Sequence, residues 1–177
     1  AAAAGVMCRY TLSVSWDVSA PRWQLFAITD RIANRAAWPQ AGEIFVLTLA
    51  DGRTLPASQL RPAGKPSLEK LKPRAGSVRV GERFGGWKAA LDLKSADGRI
   101  RVQWRGILRD QSNYVRQEVA ITAAGVELPL REVALLDLRV PGAKGVGIVD
   151  GSPVVANNLF FACEHPMAKN PVGNGHS

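Results

Sequence analysis

Three Asp-Gly pairs divide this chain, and each lies between segments that are apolar or that alternate apolar and polar residues: Asp51-Gly52, Asp97-Gly98 and Asp150-Gly151. Asp-Gly readily adopts the positive φ angles that tight hairpin turns need. Around the second pair the apolar residues recur at every second position, as Leu91 and Leu93 before it and Ile100, Val102 and Trp104 after it. A period of two is typical of strands with one buried face, so the pattern predicts antiparallel hairpins.

Other segments carry the same signal. Tyr10, Leu12, Val14 and Trp16 share one face of a predicted strand, and residues 44–49 are almost continuously apolar, which is typical of a central strand covered on both sides. Further strands are predicted at residues 23–28, 78–80, 87–93, 99–108, 114–122, 126–130, 133–140, 146–149 and 154–161. The predicted fold is all-β, an antiparallel β-sandwich of about ten strands with at most one short helix.

The helix is predicted at residues 30–38, with Asp30 as its N-cap and Pro39 as its stop signal. Residues 56–76 contain four prolines and two glycines among several lysines and arginines, and they predict a long surface loop. Loops of that length are often functional.

The 177 residues, of which 46% are hydrophobic, predict one domain with its own core. We expect a flexible N-terminal segment at residues 1–8, the β-sandwich at 9–168, and a flexible tail or the start of a linker at 169–177. Cys8 and Cys163 lie near opposite ends of the chain. Either a disulfide or two free thiols fits that placement.

The net charge is +8 and the isoelectric point is about 10.1. The densest basic stretch, residues 65–83, is broken by Pro66, Pro73 and Gly76 and contains no aromatic residue to stack on bases. It therefore predicts a solvated basic surface and no nucleic-acid partner. No stretch of 18 apolar residues is present, so no membrane-spanning segment is predicted.

Few residues fit known catalytic motifs. The two histidines are His165 and His176, the glycines of residues 142–147 lie between predicted strands, and no Gly-x-Ser-x-Gly sequence occurs. Acidic residues lie in or beside predicted strands, but the sequence pairs no two of them across a site. We predict a protein that is not an enzyme and assign no catalytic residue.

Five tryptophans supply the best signal for a ligand. Trp16 and Trp104 lie on apolar strand faces and are predicted to be core residues. Trp38, beside Pro39, and Trp87, after Phe84-Gly85-Gly86, are predicted to be platforms on which sugar rings stack. The alternative for both is half-buried packing.

Residues 109–116 are rich in hydrogen-bonding groups between two predicted strands. Arginine and aspartate side chains can bond to neighbouring sugar hydroxyls, and a tyrosine ring can stack or donate. The candidate binding residues here are Arg109, Asp110, Asn113, Tyr114 and Arg116. The alternative is a polar turn that leads into a strand.

A family resemblance comes from the strand entry at residues 113–117, the segment 132–141 (EVALLDLRVP), and the segment 151–167 (GSPVVANNLFFACEHPM). Together they resemble the N-terminal β-supersandwich, similar to galactose mutarotase, of bacterial glycoside hydrolases related to α-galactosidases and endo-α-N-acetylgalactosaminidases. The resemblance covers about residues 20–168. It implies that the catalytic acids lie in a following barrel domain, and that Glu164 and His165 contact a sugar. A strand-end turn is the alternative for those two residues.

The leading hypothesis is a non-catalytic carbohydrate-binding module of a secreted or periplasmic glycan-degrading enzyme. Its expected partners are a polysaccharide or oligosaccharide and a covalently linked catalytic domain. One alternative is a structural sandwich that packs on the catalytic barrel and binds no glycan alone; another is a mutarotase-like epimerase, which needs a matched general acid and base. No cofactor is expected. A structural calcium ion is compatible with such a sandwich, but no Asp-x-Asp-x-Asp loop supplies ligands for it.

Overall fold

Strands dominate the molecule, and every strand pair is antiparallel. The computed structural model describes residues 4–8, 12–17, 24–37, 41–125 and 127–173, which contain seventeen strands and two 3₁₀ helices, Ala57–Gln59 and Val80–Arg83. The predicted all-β class is confirmed. In chain order the strands are β1 (Ala4–Cys8), β2 (Leu12–Asp17), β3 (Gln24–Asp30), β4 (Arg35–Ala37), β5 (Ala41–Glu43), β6 (Val46–Leu49), β7 (Thr54–Pro56), β8 (Arg61–Pro62), β9 (Ser67–Leu71), β10 (Gly86–Lys94), β11 (Ile100–Arg109), β12 (Val115–Ala123), β13 (Leu130–Ala134), β14 (Asp137–Arg139), β15 (Lys144–Gly145), β16 (Val154–Ala156) and β17 (Leu159–Phe161).

The largest sheet has the order β12-β11-β10-β8, and β9 also pairs with β10. Its central hairpin, β10–β11, turns at Asp97-Gly98 as predicted. Gly98 has φ 72° and donates its N–H to the Ser95 carbonyl at 3.0 Å. The Asp97 carboxylate accepts the Arg99 N–H at 3.1 Å and the Ser95 hydroxyl. The register places Leu91 opposite Trp104, so both strands direct the same face inward.

The Asp51-Gly52 pair closes the β6–β7 hairpin, also as predicted. Gly52 has φ 87° and donates to the Leu49 carbonyl at 3.0 Å. The third pair behaves differently. Asp150-Gly151 lies in a turn closed by the Ser152 N–H and the Val149 carbonyl at 2.9 Å, but Gly151 has no positive φ, and the turn is part of a longer connection from β15 to β16.

One hydrophobic core joins strands β1–β3, strands β10–β12 and the small sheet β13-β6-β7. Trp16 from β2 and Trp104 from β11 meet edge to face with ring centroids 5.3 Å apart, as expected for core residues. The predicted central strand at residues 44–49 is equally enclosed, because Ile44, Phe45 and Leu47 are almost fully buried. This packing of antiparallel sheets is consistent with a β-sandwich.

The amide side chain of Gln117 bonds to main-chain groups beside another sheet. Gln117 of β12 donates from Nε2 to the Ile44 carbonyl at 2.7 Å and also to the Leu135 carbonyl. These carbonyls lie just before β6 and just after β13. The bonds satisfy two main-chain acceptors that lie outside the strands and hold the small sheet against the large one.

The predicted helix at residues 30–38 is wrong. Strand β3 runs to Asp30, residues 31–34 form a turn, and β4 returns antiparallel to β3. The Asp30 carboxylate accepts the N–H groups of Ile32 at 2.9 Å and Ala33 at 3.0 Å, as an N-cap would, and Asn34 then takes φ 50°. The capping chemistry was identified correctly, but a left-handed residue four positions later ends the turn before a helix can begin. Trp38 lies outside the described residues.

Residues 56–76 are not a continuous loop as predicted. The segment contains the first 3₁₀ helix, β8 and β9, and Ala57 and Leu60 anchor it in the core. Strand β9 pairs with β10 at the edge of the sheet but is exposed along most of its length. An edge strand of this kind carries charged and proline-flanked sequence, which is why its composition resembles that of a loop.

Several predicted strands are shorter or absent. Residues 78–80 and 146–149 form no strand, because Val78 and Ile148 are fully exposed and have no neighbour to bury them. Residues 154–161 divide into β16 and β17 at Asn157, which has φ 54°. Residues 133–140 divide into the end of β13 and β14, and Val126 lies outside the described residues.

Both ends of the chain make contacts where the structure describes them. Residues 4–8, predicted to be flexible, form β1 against β2, and Met7 is buried. In the predicted tail, Asn170 donates to the carbonyls of Gly151 and Ser152 at 3.1 and 3.0 Å. Cys163 is a free, half-buried thiol. No helix among the described residues is long and apolar enough to cross a membrane.

Candidate functional site

Four of the predicted binding residues line one depression of about 260 Å³ at the end of the large sheet: Arg109, Tyr114, Arg116 and Glu164. We call this depression the arginine pocket. Its remaining lining residues are Arg79, Val80, Gly81, Glu82, Ile107 and Ser112. The structure therefore brings together side chains from the end of β11, the start of β12, the second 3₁₀ helix and the segment after β17.

Strand alternation positions the floor of the arginine pocket. Leu108 is fully buried in the core, so its neighbours Ile107 and Arg109 lie on the opposite, outer face of the sheet. Arg116 lies directly across from Ile107 in the β11–β12 register. The arginines are thus held by the same strands that build the core.

The β11–β12 connection presents Tyr114. Gln111 takes φ 62°, and the Ser112 N–H donates to the Arg109 carbonyl at 3.2 Å. The Ser112 hydroxyl in turn bonds to the Tyr114 carbonyl at 3.1 Å and accepts the Tyr114 N–H at 3.3 Å. These bonds fix the backbone while the ring of Tyr114 stays 53% exposed at the pocket. Gly81 leaves room for it, since a Cβ there would lie 3.3 Å from the Tyr114 hydroxyl.

The guanidinium of Arg109 is oriented by main-chain carbonyls. Its Nη1 donates to the Phe84 carbonyl at 3.0 Å and lies 3.4 Å from that of Lys72, and its Nε is buried with no hydrogen-bond partner among the described residues. Arg109 makes no ion pair with any of the described residues. The carbonyls are neutral, so the guanidinium keeps its full charge, which helps to lower the pKa of Glu82 without a direct ion pair between the two side chains.

Glu82, by contrast, is already engaged. Its carboxylate accepts the Ser77 hydroxyl at 2.7 Å and lies 3.4 Å from Arg74 Nη1. The Ser77 hydrogen bond, helped by the positive charges of Arg74, Arg109 and Arg79, lowers the pKa of Glu82 below its ordinary value. The group is ionised at neutral pH and is therefore unsuited to donate a proton.

The other charged groups of the arginine pocket differ in how they are paired. Arg116 lies 3.4 Å from the Glu118 carboxylate, which Arg105 also approaches at 3.8 Å. The side chains of Arg79 and Glu164 form no ion pair or hydrogen bond with any described residue. Three arginines thus face two carboxylates, one of which is occupied, so the pocket is positively charged.

The remaining predicted residues do not line this pocket. Asp110 lines a neighbouring depression of about 460 Å³ with Lys70, Lys72 and Gly85. Trp87 is half-buried and packs against the core, and Asn113 is exposed in the β11–β12 connection. His165 is exposed, and its Nδ1 accepts the Met167 N–H at 3.1 Å in a turn.

Sequence reasoning missed the contribution of Arg79, Gly81 and Glu82, because residues 78–80 were assigned to a strand and the basic stretch to solvated surface. The available signal was local: Ser77 and Glu82 are polar residues among three arginines, and they bond to each other to close the 3₁₀ segment. Only the fold shows that this segment faces β11 and β12.

The arrangement can donate charged hydrogen bonds from guanidinium groups, accept them at Glu164, and offer the face of one aromatic ring. Among the described residues, no three His, Cys, Asp or Glu side chains come together as metal ligands would, so no residue is assigned to calcium.

Comparison of the chain with models of protein families, with the curated proteins and with the solved structures found no match.

Proposed function

We propose that this domain is a non-catalytic carbohydrate-binding module, with the arginine pocket as its sugar site. One observation carries the proposal: the exposed ring of Tyr114 shares a pocket with Arg109 and Arg116. The other charged groups there include Arg79 and Glu164, which have no partner among the described residues.

This combination matches the chemistry of a sugar. The apolar C–H face of a pyranose packs on an aromatic ring, while its hydroxyls both donate to carboxylates and accept from guanidinium groups. The volume of about 260 Å³ lies just below the roughly 300–1,000 Å³ of typical small-molecule sites, which suits one ring or the end of a glycan.

The parent protein, on this proposal, is a secreted or periplasmic glycan-degrading enzyme, as the resemblance to glycoside hydrolases implies. The module would hold the substrate near a linked catalytic domain and raise its local concentration. Trp87, Asp110, Asn113 and His165 would then serve packing or turn roles rather than contact the bound ring.

A glycan array followed by calorimetry tests this function. Tyr114→Ala removes the stacking surface, and we expect it to weaken binding about tenfold, the equivalent of about 1.4 kcal/mol. Phe160→Ala is the matched control, since Phe160 is also an exposed aromatic residue but lies on β17 and not in the pocket. Wild-type protein that binds no glycan, or equal losses in both variants, would count against the proposal.

A second candidate function is structural packing on a catalytic barrel. It is favoured by large apolar residues that are exposed in and around the β15–β17 sheet: Val146, Ile148, Val149, Phe160 and Met167. Exposed apolar groups of this density are typical of surfaces that meet another protein.

A further inference from the structure

We infer that the arginine pocket selects sugars that carry an anionic substituent, a carboxylate or a sulfate. The inference rests on the proposed carbohydrate-binding function and adds the class of ligand to it. The charge balance of the pocket, and the way in which each charge is already paired, carry the argument.

The positive charges outnumber the negative ones, and pairing within the protein increases the difference. Glu82 is held by Ser77 and Arg74, and Arg74 itself is not a lining residue of the pocket. Of the two carboxylates, only Glu164 therefore faces the cavity without a partner among the described residues. A neutral sugar would leave two or three guanidinium charges uncompensated as it displaced their water, which is costly.

Arg79 and Arg109 are the groups best placed to hold the anion. Arg109 is pre-oriented by the Phe84 carbonyl, so little side-chain entropy is lost when it binds. Arg79 is exposed and has no ion pair in the described part of the chain, so its planar fork is available for two parallel bonds to a carboxylate or sulfate. Arg116 shares its charge with Glu118 and contributes less.

Glu164 determines how a bound acidic sugar is oriented in the pocket. Its carboxylate would repel an anion but accept hydrogen bonds from sugar hydroxyls. A bound acidic sugar would therefore place its charged group toward Arg79 and Arg109, a ring face on Tyr114 and a hydroxyl toward Glu164. The net charge of +8 would also accelerate the approach of a polyanionic glycan.

The test compares ligands that differ only in charge. Calorimetry on the full chain would use trigalacturonic acid against its fully methyl-esterified form, and a sulfated galactan oligosaccharide against its desulfated form. We expect each anionic member to bind at least about tenfold more tightly than its neutral partner, and to lose affinity as ionic strength rises. The tighter of the two anionic ligands identifies the substituent.

Arg79→Gln is the decisive variant, and we expect it to weaken binding of the anionic ligand about tenfold while leaving the neutral one within about twofold. Arg101→Gln is the matched control, because Arg101 is an exposed arginine on β11 that does not line the pocket. Equal losses in the two variants would overturn the inference.

The outcomes also distinguish failure of the anionic preference from failure of the proposed carbohydrate-binding function. Equal affinity for charged and neutral ligands, with both lost in Tyr114→Ala, would overturn the anionic preference and leave the carbohydrate site standing. Failure of wild-type protein to bind any of the four ligands or any array glycan would overturn both.

Discussion

Gly106 lies at a tightly packed point of the core. A Cβ at this position would lie 2.9 Å from Cη2 of Trp104 and 3.2 Å from Cζ2 of Trp16. These rings form the edge-to-face pair, and both are almost fully buried. Because Gly106 has no side chain, the two indole rings can occupy the same layer of the core.

Gly106→Ala is accordingly expected to destabilise the protein by about 1–3 kcal/mol through overpacking. Urea unfolding followed by tryptophan fluorescence measures the change. The control is Gly64→Ala, where an added Cβ meets nothing within 4 Å and φ is not positive, so we expect a change within about 0.5 kcal/mol. Equal effects of the two substitutions would contradict the proposed role of Gly106.

Two turn aspartates make stability depend on pH. Backbone and side-chain hydrogen bonds from Arg53 lower the pKa of Asp51 below its ordinary 3.8, and the Ser95 hydroxyl and the Arg99 N–H lower that of Asp97. A folded-state pKa below the unfolded value means that the contribution is complete above about pH 4 and is lost as the pH falls through the folded value.

The double variant Asp51→Asn with Asp97→Asn keeps turn-forming residues but removes both charges. We expect it to melt at a lower temperature than wild type at neutral pH, and the difference to disappear near about pH 2. Thermal melts by circular dichroism across this range give the comparison. A difference that stays constant with pH would exclude the two carboxylates as its source.

The strands that short-range sequence patterns specify were predicted well. Strands β10 and β11 and their hairpin follow from Leu91, Trp104 and the Asp97-Gly98 turn, because alternation and turn chemistry are encoded within a few residues of each other. Strands β4 and β9 were missed, since each is specified by the neighbour it pairs with and not by its own apolar pattern.

The difference between strands that supply the core and strands that only pair with a neighbour also predicts an order of local stability. Strand β11 is paired on both sides and contributes alternate residues to the core, whereas β15, β16 and β17 form a small sheet with several exposed apolar residues. We expect amides of β10 and β11 to exchange most slowly and those of β15–β17 to exchange fastest among the paired strands. Hydrogen exchange with mass spectrometry measures this order, and uniform protection would contradict it.

For the whole molecule, the candidate site was only partly predictable. Arg109, Tyr114 and Arg116 were found because they are close together in the sequence, and Glu164 because of a family resemblance. Arg79 and Glu82 lie 36 and 33 residues before the first residue of β12, Val115, and only the pairing of distant strands brings them to the pocket. Contacts of that separation leave no periodic trace in one sequence.

The exposed apolar groups near β15–β17 provide a test of the structural alternative. Ile148→Ser with Phe160→Ser should reduce binding of an anilinonaphthalene dye and any self-association, without lowering the melting temperature, because both side chains are largely exposed. Val78→Ser, at a site that is 94% exposed, is the control. Unchanged dye binding in the double variant would exclude these residues as an interaction surface.

Core-facing and outward-facing residues alternate along β11, and this alternation decides which changes of sequence the strand tolerates. Even-numbered residues from Ile100 to Leu108 face the core, and odd-numbered residues from Arg101 to Arg109 face outward, where the last two line the pocket. Substitutions at the outward-facing positions 107 and 109 can therefore change the lining of the pocket while the core face of the strand is kept. An insertion or deletion of one residue within the strand would exchange the two sets at once. The lining of the pocket can thus change by point mutation, while the length of the strand cannot change without exposing the core face.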